Sequence, residues 1–265
     1  MALAGVASAG SVGYNSMTEA QKEGVVLTWD FSDGLATPDV GTVTGTFTLN
    51  DEKTAAVYAT GAGHPYVNGL ASQFASGDFT LSFDIYSYTA DNWQSFITLY
   101  SLKNGPHDAD NYSLQIGVTD KNGKGELSVF NKVANQSGFA GINGTSGNIG
   151  TGLTSGFDGE ATVTLVSDMS NTQTLSLYVD GKYIGQHTGW YATDGQAINQ
   201  IKFGATGTDS KSGREFPNAE FGNMTIWNKA LTATEVKALI PEPTTATLSL
   251  LALASLAARR RRASR

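Results

Sequence analysis

Aromatic side chains stand beside amide, carboxylate or imidazole groups at two places in the sequence. The first group is Asp91, Asn92 and Trp93, and the second is His187, Trp190 and Tyr191. A flat ring can stack on the apolar face of a sugar while neighbouring polar groups hydrogen-bond its hydroxyls. Both groups lie at or between the ends of predicted strands, so they are candidate glycan contacts; the alternative is that the rings cap the edge of a sandwich. Trp29 and Trp227 lie within predicted strands and are expected in the core.

Paired carboxylates, which retaining glycosidases place on both sides of the bond they cleave, occur on no predicted strand. No Glu is followed by an acid two residues later, and Asp108 and Asp110, which have this spacing, lie in a segment rich in Pro and Asn. Glu215 and Glu220 are five residues apart, which on a strand places them on opposite faces. We therefore predict a non-catalytic domain, with a divergent glycosidase as the lesser alternative.

Nucleophilic catalysis has no support in the sequence either. The chain has three His (His64, His107 and His187), no Cys, and no Gly-x-Ser-x-Gly segment that would present a serine nucleophile. Single His residues in predicted loops are expected to be solvated. The lack of Cys also excludes disulfides and Cys-based zinc sites, so the core and the sheets must stabilise the fold.

A calcium site is possible, but the sequence does not identify its ligands. Residues 120–125 resemble the first half of an EF-hand loop, yet Lys124 and Asn131 occupy positions five and twelve of that loop, so two oxygen ligands are missing. We predict a hairpin turn there. The acidic candidates for Ca²⁺ are Asp30, Asp33 and Asp91.

Short segments of alternating apolar and polar residues must position these groups. In residues 79–86, Phe79, Leu81 and Phe83 face one side while Thr80 and Ser82 face the other, which predicts a strand with one core face and one polar face. Strands are predicted at 25–31, 42–49, 55–59, 79–86, 94–101, 112–118, 126–131, 161–167, 174–180, 183–186, 198–203 and 221–227. Residues 134–159, rich in Gly, Asn and Ser, are predicted to form a loop or a weak edge.

Local signals at turns and helix ends complete this assignment. Asp180-Gly181 suits a type I′ hairpin turn, and Thr232 with Glu235 forms a capping box for a short helix ending by Leu239. Residues 18–23 are amphipathic and suit a short helical lead-in. About a dozen strands without a βαβ unit predict an all-β antiparallel sandwich.

Both ends of the chain suggest export. Residues 1–9 resemble the end of a secretory signal peptide, with small residues Ala7-Ser8-Ala9 suiting a cleavage site; the alternative is a disordered N-terminus. Residues 10–240 form one domain, in which Arg214 is the only Arg. Five of the 17 Lys and Arg lie after residue 241, but only one of the 24 Asp and Glu, so this domain is strongly acidic and nucleic acid is an unsuitable partner.

Residues 241–265 contain three features in a fixed order. Pro241, Glu242 and Pro243 are followed by an uncharged, Leu-rich run at 244–258 and then by Arg259, Arg260, Arg261 and Arg262. The prolines interrupt regular structure, and the run would form a membrane helix of about 22 Å, short for a hydrocarbon core of about 30 Å. The positive-inside rule places the arginines in the cytoplasm and the domain outside. The alternative is an apolar core helix followed by a basic tail.

This tail resembles the PEP-CTERM sorting signal of Gram-negative bacteria. The resemblance implies that an exosortase recognises Pro-Glu-Pro and removes the helix and the arginines, after transient anchoring in the inner membrane. The processed domain would then be released or attached at the cell surface. Such systems accompany exopolysaccharide production.

The closing half of the domain resembles laminin G-like, concanavalin A-like domains. The residues that carry this resemblance are TLSLYVDGKYIGQ at 174–186, IKFGA at 201–205 and FGNMTIWNKALTATEVKAL at 221–239. It implies a lectin-glucanase jelly-roll of two antiparallel sheets that often presents a carbohydrate or protein site on its rim. We therefore expect a surface or extracellular-matrix adhesion module that binds glycans; a structural matrix protein without a small ligand is the alternative.

Overall fold

The computed structural model describes residues 10–31, 34, 36–59, 65–89, 94–101, 114–119, 125–131, 149–188, 197–204 and 218–241. Fourteen strands within these residues form two antiparallel sheets. The eight-stranded sheet contains β1 (Val25–Trp29), β2 (Thr48–Leu49), β3 (Ala56–Ala59), β5 (Phe79–Thr89), β10 (Phe157–Asp168), β11 (Thr174–Val179), β12 (Lys182–Thr188) and β14 (Asn218–Trp227). The six-stranded sheet contains β4 (Tyr66–Asn68), β6 (Gln94–Ser101), β7 (Leu114–Thr119), β8 (Glu126–Asn131), β9 (Ile149–Gly150) and β13 (Ile198–Phe203).

The order of strands in the larger sheet is β12-β11-β10-β5-β14-β3-β2, with β1 paired to a different part of β14. The order in the smaller sheet is β4-β13-β6-β7-β8-β9. Both sheets contribute alternate apolar residues to one core, the packing of a β-sandwich. The predicted fold class is therefore confirmed.

Aromatic rings fill the centre of this core. Phe221 packs against Phe47 at 5.1 Å and against Tyr58 at 4.6 Å between ring centroids, and Trp29 packs edge-on against Phe47 at 5.1 Å. A bulge in β6 between Ser95 and Ile97 allows two successive residues, Phe96 and Ile97, to face the core. Ring packing between the sheets thus stabilises a fold that has no disulfide.

A second hydrophobic cluster lies on the outer face of the eight-stranded sheet. The segment 10–22, which includes α1 (Glu19–Lys22), and the C-terminal helix α2 (Ala233–Ala238) both pack there. The cluster consists of Met17, Val166, Trp227, Leu231, Val236 and Leu239. The N–H of Val12 donates to the carbonyl of Leu239 at 2.8 Å, and the indole of Trp227 donates to the carbonyl of Gln21 at 2.7 Å. The two ends of the domain therefore form one layer over this sheet.

This layer changes the predicted environment of β5. The polar residues of β5 share one side of the strand, as the alternation predicts, but Thr80, Ser82 and Asp84 are all buried instead of facing solvent. Trp29 lies in the main core as expected, whereas Trp227 lies in the second cluster. Burial of both faces of a central strand is what a covering layer produces.

The local predictions have mixed outcomes. Helix α2 has the predicted capping box, and α1 lies within the segment 18–23 where a short helix is predicted. Asp180 and Gly181 have φ of 50° and 69°, the positive values of a type I′ turn. Residues 134–159 are predicted to form a loop or a weak edge; β9 is a two-residue edge strand, but the prediction is wrong for 157–159, where β10 begins. Within the described residues, no helix is both long and apolar enough to cross a membrane; residues 242–265, with the predicted membrane helix and Arg cluster, are outside them.

Candidate functional site

The strand ends that precede the two groups of predicted glycan contacts lie at opposite ends of the sandwich. Asp91, Asn92 and Trp93 lie outside the described residues, between Thr89 and Gln94, and Trp190 and Tyr191 also lie outside them, after Thr188. Thr188 pairs with Thr174 at the end of the sheet where β5 begins, whereas Thr89 is the last residue of β5. Strand β5 has 11 residues, about 36 Å in length. The strand ends next to the two groups are therefore far apart.

His187 is not solvated as the sequence predicts, and Asp30, a candidate Ca²⁺ ligand, is buried as well. His187 is in β12 opposite Leu175, with 6% of its surface exposed, because this strand extends two residues beyond its predicted end. Asp30 is also 6% exposed, and its carboxylate lies against Gly13, where a Cβ would be 2.3 Å from Asp30 Oδ2. No group of three or more Asp, Glu or His that could hold a metal ion occurs in the described part of the chain; Asp33 and Asp91 are outside it.

Buried polar side chains cover the face of the six-stranded sheet that points away from the core. We call these residues the polar face: Ser95, Thr98, Tyr100, Gln115, Ser128, Gln200 and Lys202. Each is at most 7% exposed, and none belongs to the hydrophobic core. Alternation along the strands determines this arrangement, since their neighbours in sequence, such as Leu99 and Ile201, point inward.

Strand register places the polar face in rows across the sheet. Lys202 lies opposite Thr98, and Thr98 lies opposite Gln115; Gln200 lies opposite Tyr100 in the next row. The Gln115 amide donates to the Ser95 hydroxyl, and Gly117 has no side chain there because a Cβ would be 2.3 Å from the Gln94 carbonyl. Hydroxyl, amide, phenol and ammonium groups thus line one face.

A cluster of acids lies on the outer face of the other sheet. Asp84, fully buried on β5, accepts hydrogen bonds from the Thr162 hydroxyl at 2.6 Å, from the Ser11 backbone N–H at 2.8 Å and from the Ser11 hydroxyl at 2.9 Å. Glu160, on the adjacent strand β10, accepts from the Gly10 N–H at 2.8 Å. Burial raises the pKa of Asp84 to about 6; its hydrogen bonds act in the opposite direction, and the charge of Glu160 adds to the rise.

The same cluster corrects one sequence interpretation. Asp158 and Glu160 have a carboxylate spacing of two and lie on β10, so the prediction that no strand carries such a pair is wrong. The sequence prediction overlooks this pair, since it begins the strand at residue 161 and expects a loop or a weak edge at 134–159, whereas β10 begins at Phe157. Asp84, from a distant part of the chain, lies beside Glu160, but the backbone of Gly10 and Ser11 covers both carboxylates. A glycosidic bond cannot reach them while that segment is in place.

Two further surface features have no counterpart in the sequence prediction. A groove of about 480 Å³ lies between segment 10–22 and α2; its lining includes Val12, Leu231 and Leu239. Tyr183, on β12, is 54% exposed and packs against Tyr178 at 5.7 Å between ring centroids. This ring belongs to the eight-stranded sheet, whereas the polar face belongs to the six-stranded sheet.

Comparisons with known proteins match the fold but not the sequence. Domain 4 of AbnA, a GH43 extracellular arabinanase from Geobacillus stearothermophilus, in complex with arabinotriose, is similar with a TM-score of 0.52 and 14% identity, over 83% of this chain and all of that chain. The binding domain of botulinum neurotoxin DC in complex with SialylT has a TM-score of 0.56 and 16% identity, over 83% of this chain and 51% of that chain. Trypanosoma rangeli sialidase in complex with sialic acid has a TM-score of 0.57 and 13% identity, over 88% of this chain and 35% of that chain.

The chain spans about half or less of the toxin domain and of the sialidase. No known family profile matches the sequence, and no curated protein matches it. At these identities the likeness establishes the β-sandwich fold.

Proposed function

We propose that this domain is a non-catalytic glycan-binding module that serves adhesion at a cell surface or in an extracellular matrix. The polar face carries this proposal through its chemistry, because it places hydroxyl, amide and ammonium groups side by side outside the hydrophobic core. Since each of these side chains is at most 7% exposed, the glycan must displace what covers this face in order to contact them. Such groups match the hydroxyls of a sugar, and Tyr100 supplies an aromatic ring among them. The arabinanase domain, which this chain matches over its whole length, is in complex with arabinotriose, and this supports a saccharide ligand here. The toxin binding domain and the sialidase are in complex with SialylT and sialic acid, but this chain matches only 51% and 35% of those chains.

Two strands of the polar face follow the sequence candidates along the chain. Trp93 comes two residues before Ser95, and the group His187, Trp190 and Tyr191 precedes β13, which carries Gln200. The polar face therefore extends from the strand that follows one candidate group to the strand that follows the other. We propose that the rings of Trp93, Trp190 and Tyr191 and the polar face contact the same extended glycan; His187, buried on the other sheet, is not part of this site.

Export and processing belong to the proposal as well. The order of Pro241-Glu242-Pro243, the apolar run and the arginines supports recognition by an exosortase and release of the domain from the membrane. The acidic charge of residues 10–240 argues against nucleic acid and suits a neutral glycan better than an anionic one.

The test is a glycan array followed by affinity titration with the full chain, with Ca²⁺ and with chelator. We expect Trp93→Ala, Trp190→Ala and Gln115→Ala to weaken binding by about tenfold or more without unfolding the domain. Tyr183→Ala, which removes an exposed ring on the other sheet, is the matched control and should bind as the unmodified protein does. Failure to retain any glycan in either buffer would refute the proposal and favour a structural matrix protein.

The alternative of a divergent glycosidase has its own readout. It predicts release of reducing sugar from a bound glycan and loss of that release in Glu160→Gln. Glycan binding without release, unchanged in Glu160→Gln, supports the non-catalytic function.

A further inference from the structure

The backbone nitrogen of Gly10 lies against two carboxylates. It donates to Glu160 Oε1 at 2.8 Å, and a Cβ on Gly10 would lie 2.6 Å from that oxygen and 2.9 Å from Asp84 Oδ2. Ser11 follows with two hydrogen bonds to Asp84, and its carbonyl accepts from the Asn223 amide at 3.1 Å. Residues 10 and 11 are therefore held by side chains of three neighbouring strands, β10, β5 and β14.

The surroundings of this nitrogen are acidic. Tyr86, on β5, has its pKa raised by burial and then by the charges of Asp84, Glu160, Glu220 and Asp30, so all four carboxylates lie near it. Within the described ranges, no ion pair involves Asp84 or Glu160; Lys22 pairs with Glu19, and Lys229 pairs with Glu235. Asp84 and Glu160 thus form a pair of carboxylates at the Gly10 nitrogen, and Glu220 and Asp30 add to the negative charge around Tyr86.

The sequence in front of Gly10 supplies the second observation. Ala7 and Ala9 are small residues at the third and first positions before the Ala9–Gly10 bond, the pattern that export peptidases cleave. Cleavage there makes Gly10 the first residue, and its nitrogen is the atom that already contacts Glu160.

We propose that hydrolysis of the Ala9–Gly10 bond by an export peptidase converts this nitrogen into an α-ammonium group that binds between Glu160 and Asp84. Water adds its hydroxyl to the carbonyl carbon of Ala9, and the C–N bond breaks. The Gly10 nitrogen takes the remaining proton of that water and the proton released by the new carboxyl group. The products are the Ala9 carboxylate and the Gly10 ammonium.

Cleavage before Gly10 would therefore strengthen the attachment of the N-terminal segment to the sheet. Before cleavage, the Gly10 nitrogen is a neutral donor with one hydrogen; after cleavage it has three hydrogens and a positive charge in a partly buried acidic site. Charge-assisted hydrogen bonds are shorter and stronger than neutral ones, so segment 10–17 becomes more firmly attached to the sheet. Glycine suits this position, since a side chain would contact the carboxylate oxygens. This proposal does not depend on glycan binding.

The test compares cleaved and uncleaved forms of one protein. Residues 1–9 are replaced by a tag that ends in the site of a protease leaving glycine as the first residue, so that cleavage generates the Gly10 terminus of the full chain. We expect cleavage to raise the melting temperature by about 2–4 °C near pH 7. We also expect NMR titration to show a lower pKa for Asp84 and an α-amino pKa above its ordinary range of about 7.7–8.0.

The sign of the pH dependence separates charge from simple removal of the tag. An amine whose pKa is raised in the folded state stabilises fully below about pH 8 and loses that effect as the pH rises through its folded-state pKa. The groups that face the nitrogen are Asp84 and Glu160, and Tyr86, Asp30 and Glu220 interact electrostatically with this pair or with one another through Tyr86. Glu160→Gln should remove most of the gain on cleavage, while Glu19→Gln, a carboxylate at 94% exposure, should leave it unchanged.

Two results would overturn the proposal. One is an exported protein whose first residue, determined by mass spectrometry, is not Gly10. The other is equal melting temperatures and equal Asp84 titration in the cleaved and uncleaved forms. Because the readouts are stability and titration, failure here is distinct from failure to bind a glycan.

Discussion

Replacement of Asp84 by Asn should remove a pH-dependent penalty on folding. The carboxylate is fully buried, and burial raises its pKa from 3.8 to about 6. The folded state therefore holds this proton more tightly than the unfolded state between about pH 4 and 6. Stability falls as the pH rises through that window, and the shift corresponds to about 3 kcal/mol.

Asn is the appropriate substitution because it preserves the shape and one oxygen acceptor. Thr162 and the Ser11 N–H can still donate to that oxygen, and the Ser11 hydroxyl can rotate to accept from the amide. We expect the difference in unfolding free energy, variant minus original, to increase by about 3 kcal/mol from pH 4 to pH 7 in the uncleaved chain. Below pH 4 the difference should be small, since Asp84 is then neutral in both states.

Urea denaturation of the full chain at pH 4, 5, 6 and 7 measures this difference, and Glu19→Gln controls for loss of a surface charge. A difference that stays constant with pH would refute the reasoning that burial dominates the environment of Asp84. In the chain cleaved before Gly10, the increase should be smaller, because the ammonium group stabilises the carboxylate. The two forms thus connect this prediction with the processing proposal.

Two further predictions concern stability. Tyr88→Phe should cost about 1–2 kcal/mol in urea denaturation, because the Tyr88 hydroxyl on β5 donates to the Leu153 carbonyl at 2.6 Å and accepts from the Leu127 N–H at 3.1 Å on the other sheet; an unchanged midpoint would show that these bonds contribute nothing to joining the sheets. Thr232→Ala should cost about 1 kcal/mol of unfolding free energy, since it removes the capping box of α2. It should also raise the pKa of Glu235, because the hydrogen bond from the Thr232 N–H and, to a smaller extent, the one from the Thr232 hydroxyl lower that pKa. A Glu235 titration in NMR that is the same in the variant would contradict this.

The local sequence determined the elements and the fold class. Alternation in residues 79–86 predicted β5 and its two faces. Asp180-Gly181 specified the turn between β11 and β12, and Thr232 with Glu235 specified the start of α2. These signals are readable because side-chain direction in a strand, φ sign in a turn and hydrogen bonds at a helix end depend on neighbours within a few residues. The sandwich follows from the number of such strands.

Tertiary structure alone decided which distant residues meet. Ser11 and Asp84 are 73 positions apart and Gly10 and Glu160 are 150 apart, so no local spacing could place them together. The polar face of the smaller sheet likewise depends on the order β13-β6-β7, which brings Lys202 beside Thr98 and Gln115. Periodicity shows that a residue points outward, but only the packing of the chain termini and the pairing of strands determine whether that outward face meets solvent, a ligand or another part of the chain.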